Sequence, residues 1–116
     1  MADEISMTLS LQFKKGGAAL QRSESIRIDV AGDAFAHEIQ SIPTANTALV
    51  EAAAIGDPGI VFVKNLDATN FVTVGLTGSY TAKLLPGEWA IFRAAGAIFA
   101  LADTDTCLVE YFIIEA

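Results

Sequence analysis

The sequence has 116 residues, a net charge of −7 and 18% charged residues, enough chain for one domain with its own core. Its seven Lys and Arg are scattered, which argues against nucleic acid and anionic membranes, since both need clustered cations. A single cysteine, Cys107, excludes an internal disulfide.

The first pattern runs from Ile5 to Phe13, where Ile5, Met7, Leu9, Leu11 and Phe13 alternate with Ser6, Thr8, Ser10 and Gln12. Period two over nine residues predicts a strand with one buried face. Lys14-Lys15-Gly16-Gly17 breaks it. Ser25 to Val30 alternates again, with Ile26, Ile28 and Val30 on one side, and Ala31-Gly32-Asp33 reads as a turn. Phe35 to Ile42 alternates less cleanly and ends at Pro43. Ala45 to Ile55, with its Ala52-Ala53-Ala54 triplet, fits a helix by propensity. It also fits a strand over Thr47 to Ala53, and the β-like flanks favour the strand. Gly56-Asp57-Pro58-Gly59 is a turn.

Ile60-Val61-Phe62-Val63 is an apolar run of β-formers and predicts a buried strand. Asn65 to Asn70 reads as a polar turn whose side chains bond nearby backbone. Phe71 to Val74 is a further strand, closed by Gly75 to Ser79, and Tyr80 to Leu85 leads into the next turn. Pro86-Gly87 suits a type II turn, with φ fixed at the first position and positive at the second. Glu88 to Phe92 and Ile98 to Ala102 follow. In Leu108 to Ile114 one side carries Leu108, Glu110, Phe112 and Ile114, and the other Val109, Tyr111 and Ile113. Eight to ten short strands joined by Gly, Pro and Asn/Asp turns predict an all-β antiparallel sandwich, jelly-roll-like, as a single domain over residues 1–116.

The stretch Ile60 to Gly75 resembles small virion structural proteins of tailed bacteriophages. Leu85-Pro86-Gly87-Glu88-Trp89-Ala90-Ile91-Phe92-Arg93, Ala100 to Thr104 and Glu110 to Glu115 are similar too. A strand, an Asn-Leu-Asp turn, a strand, a Pro-Gly-Glu turn and a final strand recur there in that order. The resemblance covers about half the chain. It implies a β-sandwich or jelly-roll subunit of a phage particle, on the capsid or in the tail, without catalytic residues. Trimers would match the local threefold positions of an icosahedral shell.

Other chemistry has simpler readings. His37, the only histidine, reads as a strand residue packed or hydrogen-bonded locally. Asp103 and Asp105 read as an acidic turn rather than a calcium loop, because the full ligand spacing is missing. Glu88 and Glu110 could be posed as a glycosidase pair, but any acidic chain offers such pairs. Trp89 with Tyr80 could form a sugar-stacking platform, yet a core or interface tryptophan is favoured. Cys107, in an apolar run without adjacent cations, reads as a buried inert thiol. Met1 to Ser6 carries Asp3 and Glu4 rather than a basic segment, so no signal peptide is expected. No apolar run reaches the roughly 18 residues of a membrane span.

The expectation is a non-enzymatic capsid decoration or cement subunit, made in the host cytoplasm and carried in the virion. Its partners would be copies of itself and the major capsid protein or another virion protein, with no cofactor, metal, nucleic acid or membrane. The expected interface residues are Ile5, Met7, Leu9, Leu11, Leu49, Trp89, Phe92 and Phe112. Met1 to Gln12 could also augment a neighbour's sheet edge. The alternatives are a tail or receptor-binding component and a carbohydrate-binding module outside any virus.

Overall fold

The structure is a computed structural model that describes residues 4–51 and 55–116. It divides into two compact units, Met1–Ala31 and Gly32–Ala116. The sandwich expected over residues 1–116 occupies the second unit, and the first is a two-stranded hairpin.

In the hairpin, β1 (Ile5–Lys15) pairs antiparallel with β2 (Ala18–Ile28) through eleven residue pairs. The loop is Gly16-Gly17, both at positive φ (58° and 85°). This is the type I′ geometry, whose twist matches that of the flanking strands. Glycine tolerates both positions, so Lys14 and Lys15 stay in the strand instead of breaking it. Ala18 to Glu24, which shows no clear alternation, is carried into β2 by its pairing with β1. The Val30 amide donates to Glu4 Oε1 at 3.0 Å.

The second unit holds β3 (Phe35–Ile42), β4 (Thr47–Ala48), β5 (Pro58–Asn65), β6 (Val72–Leu76), β7 (Ser79–Leu84), β8 (Trp89–Arg93), β9 (Phe99–Ala102) and β10 (Cys107–Glu115). They form two four-stranded antiparallel sheets, ordered β3-β10-β5-β8 and β4-β9-β6-β7. Within these two sheets, among the described residues, only β6 and β7 are consecutive strands paired with each other; every other connection crosses to the opposite sheet. That is the strand order of a jelly roll. Among the described residues the segment read as helix or strand contributes only the short β4. Ala52-Ala53-Ala54 lies outside the described residues.

The core lies between the sheets. Val61, Val63, Val109, Tyr111 and Ile113 point inward from one sheet, and Val72, Val74, Ala100 and Ala102 from the other. The inward set follows period two on each strand. Buried polar groups are satisfied. The Tyr111 hydroxyl donates to the Val50 carbonyl at 2.7 Å and lies 2.9 Å from Gln40 Oε1. The Gln40 amide in turn donates to the Ala48 carbonyl and accepts from the Val50 N–H. Together these groups pin the chain after β4. Burial pushes the Tyr111 phenol up, helped by the Glu38 charge.

Asn65 is fully buried. Its Nδ2 donates to the carbonyls of Asn70 and Leu84, both at 3.0 Å, and its Oδ1 accepts from the Asp67 N–H at 2.9 Å. Leu84 ends β7 in the opposite sheet, so one amide ties the two sheets through the turn. Asp67 caps the same turn by accepting from Thr69 and Asn70; the Asn70 bond chiefly, then that of Thr69, lowers its pKa. At the Pro86-Gly87 turn the Glu88 N–H donates to the Leu85 carbonyl at 2.9 Å, and Gly87 has φ +82°. This is the expected type II geometry.

Glu115 closes the opposite end. Its carboxylate accepts from the N–H groups of Asp33, Ala34 and Gly56. Gly32 leaves the space it fills, because a Cβ there would lie 2.3 Å from Glu115 Oε1. The bond from Gly56, then that from Ala34, holds the carboxyl below its ordinary 4.5.

Two predictions follow from these bonds. Asn65→Ala leaves two carbonyls and an N–H unpaired in the interior, so it is expected to cost about 2–3 kcal/mol in urea unfolding. For Glu115 the folded pKa lies below the unfolded one. Its contribution is therefore complete above pH 4.5 and disappears as pH falls through the lower folded value. Glu115→Gln should flatten the stability–pH curve in that acid window; an unchanged slope would contradict the assignment.

Candidate functional site

The β3-β10-β5-β8 sheet is apolar on both faces. Its outward side chains come from strands whose inward side chains build the core. On β10 these are Leu108, Glu110, Phe112 and Ile114; on β5, Ile60, Phe62 and Lys64; on β8, Trp89, Ile91 and Arg93; on β3, Phe35, His37 and Ile39. Phe35 is 67% exposed, Ile39 59% and Trp89 53%.

Strand pairing arranges these side chains in rows across the sheet. His37, Phe112, Phe62 and Ile91 form one direct row, and Ile39, Glu110, Lys64 and Trp89 the next. Phe62 stacks on Phe112, with centroids 5.1 Å apart. Trp89 leans on Phe62 at 5.9 Å, and His37 meets Phe112 edge-on at 4.4 Å. Such pairs add about 0.5–1.5 kcal/mol each beyond buried area. His37 Nε2 lies 2.8 Å from Glu110 Oε2, so the histidine is bonded and packed locally, on the outer face.

The hairpin carries a second apolar surface. Ile5 faces Ile28, Met7 faces Ile26 and Phe13 faces Leu20, with Leu9 and Leu11 between. Their cross-strand partners Glu24 and Arg22 form an exposed ion pair at 2.7 Å. The other hairpin face is polar, with Thr8 opposite Ser25, Ser10 opposite Ser23 and Gln12 opposite Gln21.

Six of the eight expected interface residues therefore fall on these two surfaces: Ile5, Met7, Leu9 and Leu11 on the hairpin, Trp89 and Phe112 on the outer sheet face. Leu49 and Phe92 lie on neither surface. Leu49 is 3% exposed and sits in the core, so it offers no surface. Phe92 has the parity of Ala90 and packs against the core, while Trp89, Ile91 and Arg93 take the outer side. Phe35, Ile39, Phe62, Ile91 and Leu108 join the face without having been expected there. Their signal was present in strands with apolar residues at both parities.

The remaining candidates separate. Trp89 and Tyr80 belong to different sheets, so they form no common platform; Tyr80 donates to Asn46 Oδ1. Glu88 accepts from the Leu85 N–H and Glu110 is engaged by His37, each in its own setting. Cys107 is buried. Burial raises its thiol pKa most, and Asp67, Asp103 and Asp105 add to the shift. Asp105 accepts from the Thr106 N–H and Asp103 from the Thr104 hydroxyl. A pocket of about 320 Å³ opens beside Leu76, Ala82, Phe92 and Ile98, with Arg93 its one ionisable lining group. Among the described residues no helix is long and apolar enough to cross a membrane, and no three His, Cys, Asp or Glu cluster as metal ligands.

Comparison with protein-family models, curated proteins and solved structures found no match.

The inward and outward positions should differ in their response to truncation. Leu49→Ala is expected to cost about 2–5 kcal/mol, whereas Trp89→Ser should cost under about 1 kcal/mol in the isolated chain. Equal losses in thermal unfolding would contradict this division.

Proposed function

We propose that this chain is a non-enzymatic structural subunit of a tailed-phage virion. It decorates or cements the capsid, assembling with copies of itself and with a capsid protein. The observation that carries the assembly reading is the outer face of the β3-β10-β5-β8 sheet, where Phe62, Phe112 and Trp89 stack as one aromatic group and Phe35, Ile39, Ile91 and Leu108 are exposed on the same face. Contiguous apolar surface of this kind marks interaction sites. The hairpin supports the same reading. Two strands alone are marginal in water, and this pair has one largely apolar face, interrupted by the Arg22–Glu24 pair, to bury. The virion address comes from the resemblance of Ile60 to Glu115 to small phage structural proteins.

In this reading the free energy of assembly is burial of apolar surface. The acidic charge keeps unassembled copies dispersed until a complementary surface is met.

The test is co-sedimentation of the purified chain with expanded phage heads, followed by electron cryomicroscopy. Heads should acquire ordered surface density and resist heat or chelation better than bare heads. Binding to tails with heads left bare would overturn the capsid address. A chain that stays in the supernatant with both would overturn the virion reading.

A further inference from the structure

We infer that the outer face of the β3-β10-β5-β8 sheet pairs two copies of this chain about a two-fold axis. The axis runs parallel to the strands, between β10 and β5. The inference deepens the assembly reading by naming the occupant of that face, and it does not depend on the virion address.

The charges on the face carry the inference. The central strands β10 and β5 place Glu110 directly beside Lys64, and Phe112 directly beside Phe62. A two-fold axis between these strands, in the plane of the contact, exchanges β10 for β5 and keeps height along the strand. Glu110 then lies over the partner's Lys64, and Lys64 over the partner's Glu110. One row further, Phe112 lies over the partner's Phe62 and the reverse. At the flanks Ile39 meets the partner's Trp89, and His37 meets the partner's Ile91. Self-complementarity of this kind is what an isologous interface requires. Sheets that stack face to face keep their strands within about 30°, so the match is tightest beside the axis, where the two charges and two aromatics lie.

The balance of charge favours a copy as occupant. The chain carries −7, so most surfaces of two copies repel. This face holds Lys64 and Arg93 against Glu110, and no described carboxylate lies within ion-pair distance of Lys64. The face itself therefore carries no excess of negative charge to oppose a second copy. Four strands about 4.8 Å apart, with side chains along about 20 Å, give a patch of roughly 400 Å² in plan. That is below the roughly 800 Å² per partner of a standard complex, so the pairing is a weak one, to be read at high protein concentration.

The experiment uses the full chain in solution, with mass from sedimentation equilibrium and the emission of Trp89, the only tryptophan. The wild type should form dimers, and Trp89 emission should shift to the blue with the same midpoint as the mass. Lys64→Glu and Glu110→Lys each set like charges against one another twice across the axis. Each should weaken self-association about tenfold or more. Mixed in equal amounts, the two variants should form a heterodimer, because every crossing pair is then opposite in sign. Circular dichroism of each variant checks that it folds.

A wild type that stays monomeric to about 1 mM, the weak limit of measurable pairing, overturns the inference, and so does a trimer. A mixture that fails to associate does the same. Dimers that leave Trp89 emission unchanged place the contact elsewhere, the hairpin's apolar face included, and also overturn it. Head binding is scored separately, so loss of this pairing and loss of the virion reading are told apart.

Discussion

The arrangement rests on strand β10 and the period-two constraint that any strand obeys. β10 lies between β3 and β5 and pairs with both along most of its length. Its side chains must therefore divide between two faces, and they are apolar on both. Val109, Tyr111 and Ile113 go inward and are fully buried, while Leu108 and Phe112 go outward and are exposed. A register slip of one residue would exchange the two sets. The Glu115 carboxylate, bonded at the end of the strand to the N–H groups of Asp33, Ala34 and Gly56, helps fix that register.

An antiparallel sheet commonly keeps one face in the core and gives the other to water. The β4-β9-β6-β7 sheet approaches that pattern, with Val72 and Val74 inside and Thr73 between them on the outer side. Its partner sheet departs from it. Phe62, Phe112 and Trp89 form a contiguous aromatic group on the outside, and their mutual stacking holds them as a formed surface. The hairpin makes a similar departure in simpler form, with one greasy face and one polar face on two strands.

Polar groups inside the sandwich serve order. Asn65 spends its amide on three backbone partners that join the two sheets, and Gln40 and Tyr111 do the same for the segment after β4. Buried groups engaged in this way raise the cost of alternative packings. The candidate chemistry of the chain accordingly lies on its apolar outer surfaces, where charge is sparse.

By itself the sequence determined most of the local structure. Alternation from Ile5 to Phe13 and from Leu108 to Ile114 marks strands because side chains of a strand must point to opposite faces. Pro86-Gly87 fixes its turn because one residue restricts φ and the next tolerates a positive value. Other features were not legible. Ala18 to Glu24 has no clear period of its own and becomes a strand through hydrogen bonds to β1. Leu49 reads like any other apolar residue until the sheets close over it. Which face of β10 meets the core, and that Glu110 stands beside Lys64, depend on partners about fifty residues away in the chain. Period two says that a strand has two sides; only the packing of one sheet on another decides which side stays in water.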